Sequence, residues 1–184
     1  MAPFLESSFA DVPITDAGVD TLAFLEASEG LARLFDLLGS AAFSVVQSDL
    51  RGNIELIENE KGEKKRTATE GLMWLLRGLS FTCKGLQNAQ NNKSEDLSTA
   101  FRRGYDVTLK KYHNFIVQGV FSVAMNACPH RVDFYNKLAA DPAGGASMPE
   151  DKLNEELNKW LSSLEHIVTR VEAFYEKGGY SKGL

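Results

Sequence analysis

Cysteine, histidine and proline are all scarce in this chain of 184 residues, and each scarcity closes off a class of protein. The two cysteines, Cys83 and Cys128, stand in apolar surroundings without CxxC or Cys/His spacing. Neither a disulfide framework nor a zinc site has material, so both read as reduced core thiols. With three histidines, His113, His130 and His166, a catalytic or metal constellation is equally short of parts. GxSxG, HExxH, P-loop and GxGxxG motifs are all missing, and the chain reads as non-enzymatic and without a metal.

Basic charge is in deficit as well. A formal net charge of −5 argues against a nucleic-acid binder, which needs clustered Lys and Arg to displace counterions from phosphates. A polybasic membrane anchor is disfavoured for the same reason. Long apolar runs are absent too: nothing approaches the roughly 18 to 20 residues that span a bilayer. "MAPFLESSFADVPITD" lacks a basic segment followed by an apolar one. The expectation is a soluble, cytoplasmic protein.

What remains is material for a core. The chain is 43% hydrophobic and 24% charged, which suits one globular domain over residues 1–184. Prolines fall at Pro3, Pro13, Pro129, Pro142 and Pro149, leaving residues 14 to 128 free for long helices. Periodicity predicts a helix from about Asp20 to Leu38, with Leu22, Leu25, Leu31, Leu34, Phe35 and Leu38 on its apolar face and Gly39 as its stop. A second begins after Ser44, with Val46, Leu50, Asn53 and Ile57 as its stripe. Thr67 to Glu70 reads as a capping box opening "GLMWLLRGLSFTCKGL", a run apolar nearly all round and therefore central. Ser94 is expected to cap a helix from about Glu95 to Gln118, followed by a further helix from Phe121 to Ala127 that stops at Cys128-Pro129. Ser147 and Glu150 make a second capping box, and the last helix runs from there through Leu153, Leu157, Trp160, Leu164, Val168, Val171 and Phe174 to Gly178-Gly179. The charged run "ENEKGEKKR" reads as a solvated connection. No segment alternates long enough to be a strand, so the class is all-α.

Four polar or amphipathic residues interrupt apolar faces. Asp49 and Asn53 are four apart, one above the other on a helix, where together they can bond hydroxyls. Equally, Gly52-Asn53 can end that helix, Asn being tolerant of left-handed geometry. Trp74 reads either as core or as a flat stacking surface with an indole donor. His113, sharing a helix face with Leu109, Val117 and Val120, reads either as a satisfied core histidine or as a donor at the mouth of an apolar cavity.

The segments "LFDLLGSAAFSVV", "SDLRGNI", "ATEGLMWLLRGLSF" and "LKKYHNFIVQGVFSVAMNACPHRVDFY" closely resemble the glycolipid transfer protein family, in particular its fungal heterokaryon-incompatibility C2-type members. The resemblance runs from about Phe9 to Phe174. It implies a two-layer helical sandwich that takes one glycosphingolipid, such as glucosylceramide or galactosylceramide, from one membrane and releases it to another. It also implies no enzymatic activity, no cofactor, a monomer, and only transient contact with membrane surfaces. Carried onto matching positions, Asp49 and Asn53 bond the first sugar, Trp74 stacks on it, and His113 bonds the ceramide amide. Phe35, Phe43, Val46, Phe81, Leu109 and Phe121 line the hydrocarbon tunnel, and Phe115 stands where animal members carry a membrane-docking Trp. The ceramide-phosphate branch carries a basic residue at the Trp74 position, so Trp74 favours a sugar.

One departure concerns the site itself. The family places a lysine three residues after the asparagine, and this chain has Leu56 there. The stretch between asparagine and tryptophan is also shorter than in the family, with a seam after Gly52-Asn53-Ile54. That departure motivates an alternative expectation, a glycolipid sensor or interaction protein with weak or no transfer.

Overall fold

A computed structural model describes residues 7–38, 43–58 and 66–182. After a 3-10 turn at Phe9–Asp11, a short hairpin pairs Ile14–Thr15 (β1) with Gly18–Val19 (β2). Seven helices follow among the described residues: α1 Thr21–Leu37, α2 Ser44–Glu58, α3 Thr67–Asn91, α4 Leu97–Val107, α5 Phe115–Asn126, α6 Arg131–Ala139 and α7 Glu150–Gly178. They form the expected two-layer all-α sandwich, with α3 at its centre against α2, α4 and α7. The hairpin is the exception to the absence of strands, and it is too short for periodicity to register.

The centrality of α3 follows from its composition. Apolar residues are buried around most of its circumference, including Met73, Leu75, Leu76, Leu79, Phe81 and Leu86. Its glycines recur every seven residues and let neighbouring helices approach. A Cβ at Gly71 would stand 3.1 Å from Leu56 Cβ and 3.3 Å from the Asn53 carbonyl, and one at Gly78 would stand 2.8 Å from Leu50. One turn pair further on, a Cβ at Gly85 would meet the Phe101 ring of α4 at 2.5 Å. A single glycine ridge thus seats α2 at one end of α3 and α4 at the other.

Helix α2 passes straight through Gly52-Asn53, which therefore is not a stop. Gly52 faces solvent, whereas Asn53 is buried and its Nδ2 donates to the Asp49 carbonyl at 2.9 Å. The weak intrinsic helix propensity of this pair, about 1 kcal/mol for the glycine, is overridden by burial of Val46, Leu50, Asn53 and Ile54 against the core.

Several expected boundaries move. The helix expected from Glu95 to Gln118 is interrupted after Val107: Thr108 leaves helical geometry, and a 3-10 turn covers Lys110–Tyr112. A new helix starts where the Asn114 side chain accepts from the N–H groups of Ile116 and Val117. Asn is a preferred N-cap, and that was the readable signal. His113 therefore lies between helices, and the expected face shared with Leu109, Val117 and Val120 does not exist. Ser94 is not a cap; its hydroxyl bonds Asn92, and Asp96 takes the N-cap position of α4. Neither proposed capping box forms, since Arg66 and Pro149 occupy the N-cap positions of α3 and α7 without side-chain cap bonds. Helix α6 was not anticipated. Leu22 and Phe174, expected on buried faces, are 74% and 59% exposed. By contrast, Asp20 caps α1 and Gly179, at φ +62, ends α7 as its glycine signal implied. The Gly39 stop, and all but the ends of the charged run, lie outside the described residues.

Candidate functional site

The antiparallel seam of α2 and α3 sets the site. Gly71 lies level with Asn53 and Leu56, and Gly78 lies level with Leu50, so Trp74 falls on the turn of α3 beside Asn53. Asp49 is one turn away on α2. Its residue is exposed, yet the surrounding chain strips enough water to raise its carboxyl above the usual range. Asn53 spends one N–H on its own helix, and among the described residues no side-chain partner takes its carbonyl oxygen or second N–H.

Trp74 is half-buried, so neither of its two readings fits completely. The His113 ring lies nearly parallel to it, at 16° with centroids 6.2 Å apart. On α3 itself, Arg77 places its guanidinium 4.5 Å from the Trp74 centroid and 3.7 Å from that of Tyr112. Tyr112 in turn meets Trp74 edge-on. Arg77 and Tyr112 were missed in the sequence. The i, i+3 spacing of Trp74 and Arg77 was the available signal.

His113 sits at the junction of two environments. Its ring packs 4.7 Å from Phe121, and its Nδ1 lies 3.0 Å from the Tyr105 hydroxyl. Burial, and secondarily the Arg77 charge, hold its pKa below the usual histidine value, so the neutral ring prevails near neutrality. Gln118 donates to its backbone carbonyl at 2.8 Å, fixing the loop that carries it.

From His113 inward the contacts are apolar and continuous. Phe121 meets Phe81, Phe81 meets Phe101, Phe101 meets Phe43, and Phe43 meets Phe35, each at centroid distances of 5.7 to 6.4 Å. Phe35, Phe43, Val46, Phe81, Leu109 and Phe121 are all buried. Phe101 links the Phe43 and Phe81 rings, a role that no motif in the sequence marks. Phe115 stands apart from this path, 82% exposed at the start of α5, with Ile116, Val120 and Val123 exposed on the same helix.

Other chemistry is not assembled. Among the described residues no group of His, Cys, Asp and Glu could hold a metal ion, and no helix is long and apolar enough to cross a membrane. Cys83 is buried and Cys128 half-buried; both are free thiols, and burial pushes each up to about 12, away from reactivity. A half-exposed indole stacked on His113, with an amide and a carboxylate on the neighbouring helix and a buried apolar path behind, is suited to an amphiphile with a polar head and hydrocarbon tail.

Comparison with known proteins defines the class. The profile of the glycolipid transfer protein (GLTP) family matches residues 19–63 and 55–140, two stretches that overlap around the end of α2. The glycolipid transfer protein of the fungus Aureobasidium melanogenum is 43% identical, over 92% of this chain and 90% of its own. The crystal structure of HET-C2, a fungal glycolipid transfer protein, superposes with a TM-score of 0.85 at 42% identity, covering 94% of this chain and 96% of its own. Mouse ceramide-1-phosphate transfer protein shares the fold, with a TM-score of 0.81 at 21% identity and coverage of 96% and 95%. The chain belongs to the glycolipid transfer protein family.

Proposed function

We propose that this protein binds one glycosphingolipid, such as glucosylceramide or galactosylceramide, and carries it between membranes without chemical change. In this reading it acts as a monomer in the cytoplasm and touches membranes transiently. Asp49 and Asn53 bond the first sugar, Trp74 stacks on it, His113 bonds the ceramide amide, and the hydrocarbon chains part the rings between Phe121 and Phe35, beside Val46 and Leu109. Phe115, exposed and apolar, touches the membrane during exchange. The observation that carries the reading is the junction at His113, where the half-exposed Trp74 ring meets the continuous buried aromatic path.

The energetics support such a division. Each buried CH₂ is worth about 0.8 kcal/mol, so a soluble carrier must enclose nearly all of a lipid chain. Methylenes discriminate weakly, whereas an unpaired buried polar group is costly, so the headgroup must be read by the polar residues. A net charge of −5 also limits attraction to anionic membranes, which helps a carrier leave them.

Leu56 supports a second reading. It is 42% exposed and leans on Gly71, where relatives are expected to carry a sugar-binding lysine. Under that reading the protein binds glycolipid as a sensor or interaction partner with little transfer. Following fluorescent glucosylceramide between donor and acceptor vesicles separates the two: transfer abolished by Trp74→Ala supports the carrier, and binding without transfer supports the sensor. Transfer that is indifferent to both Trp74→Ala and Asp49→Ala would refute the residue assignments.

A further inference from the structure

What His113 can bind depends on which ring nitrogen carries its proton, since a neutral imidazole donates from one and accepts at the other. Its partner Tyr105 answers this. Tyr105 is 3% exposed, and its hydroxyl makes one hydrogen bond among the described residues, the 3.0 Å contact with His113 Nδ1. The phenol ring cannot swing to another partner, because it stacks on Phe121 at 5.0 Å and 14° and meets the Phe81 ring edge-on at 6.1 Å. A buried hydroxyl proton needs an acceptor, and Nδ1 is the one within reach. Nδ1 must then be unprotonated, which leaves the proton on Nε2.

We infer that Tyr105 is a positioning residue that fixes the His113 ring, before any ligand arrives, as an Nε2–H donor for the amide contact that the functional reading above gives it. The tautomer follows from this chain alone, and the identity of the ligand rests on the functional reading above. Burial supports the arrangement from both sides: it keeps the His113 ring neutral and, aided by the Asp106 charge, keeps the Tyr105 proton in place. A ligand presenting only a donor toward His113 would meet another donor and be rejected.

Long-range ¹H–¹⁵N NMR of the lipid-free protein reads the tautomer directly. The expected spectrum shows a protonated His113 Nε2 and an unprotonated, hydrogen-bonded Nδ1. Tyr105→Phe keeps the ring contacts with Phe81 and Phe121 and removes only the hydroxyl. It is expected to shift Nδ1 toward a bare nitrogen and to weaken glucosylceramide binding by about threefold to tenfold, the worth of one ordinary hydrogen bond. In a His113→Ala background the same change should weaken binding no further, because the two residues act as one unit. A wild-type His113 protonated at Nδ1, or a Tyr105→Phe protein unchanged in Nδ1 signal and affinity, would overturn the inference. The expected tautomer in a protein that binds no glycolipid would count against the functional reading and leave the role of Tyr105 standing.

Discussion

The α2 half and the α3–His113 half of the candidate site are held to very different degrees. Trp74 is bracketed by Arg77, Tyr112 and His113, and His113 is fixed by Tyr105, Phe121 and Gln118. Opposite them, Asp49 stands at an exposed edge, Asn53 leans on its own helix backbone, and Leu56 offers an apolar side chain. Preorganisation therefore sits on the Trp74–His113 side, while the Asp49–Asn53 side is sparse.

If the ordered half supplies most of the binding energy, Trp74→Ala should have the largest effect. We expect transfer of fluorescent glucosylceramide to fall more than about tenfold, because the stacking surface and its packing are lost together. Asp49→Ala should follow, with a loss of about tenfold in affinity, the scale of a hydrogen bond to a charged group; titration of labelled lipid into the protein would measure it. Equal losses at the two positions would erase the contrast between the halves.

Leu56→Lys sharpens the comparison from the other direction. The position is partly exposed, so the fold should tolerate the change, and added charge on the sparse half should raise transfer by a few-fold. A gain would support a headgroup role for a cation at this position, whereas an unchanged rate would count against one.

Acid should produce the smallest effects, of opposite sign on the two halves. The folded pKa of His113 lies below its ordinary 6.5, so the unfolded chain takes up a proton first. Stability from the neutral ring is complete above about pH 6.5 and declines as pH falls through that value toward the folded pKa. Asp49, with its carboxyl raised above 3.8, is protonated more readily in the folded chain, so acidification just above that value relieves its burial. Denaturant midpoints across pH in His113→Gln and Asp49→Asn proteins would flatten the corresponding segments of the profile.

Much of the fold was readable because α1, α2, α3 and α7 carry strong 3.6-residue periodicity and end at Asp20 and Gly179 as local chemistry requires. The break between α4 and α5 was not, since Tyr105, Leu109, Tyr112 and Ile116 keep helical spacing across it. Of these, Tyr112 and Ile116 are exposed, so their register reflects no common buried face. Asp49, Asn53, Trp74 and His113 stood out as candidates through their spacing and the family resemblance. Their supports were less legible: Arg77 needs the i+3 relation to Trp74, and the roles of Tyr105 and Phe101 emerge only when α3, α4 and α5 are packed.

Whether the protein selects a sugar headgroup is read most directly by presenting the lipid-free protein with vesicles containing equal amounts of glucosylceramide and ceramide-1-phosphate, and identifying the lipid bound to the re-isolated protein by native mass spectrometry. A glycosphingolipid carrier is expected to hold one glucosylceramide per chain, lost in Trp74→Ala. Capture of ceramide-1-phosphate instead, or of neither lipid, would contradict it.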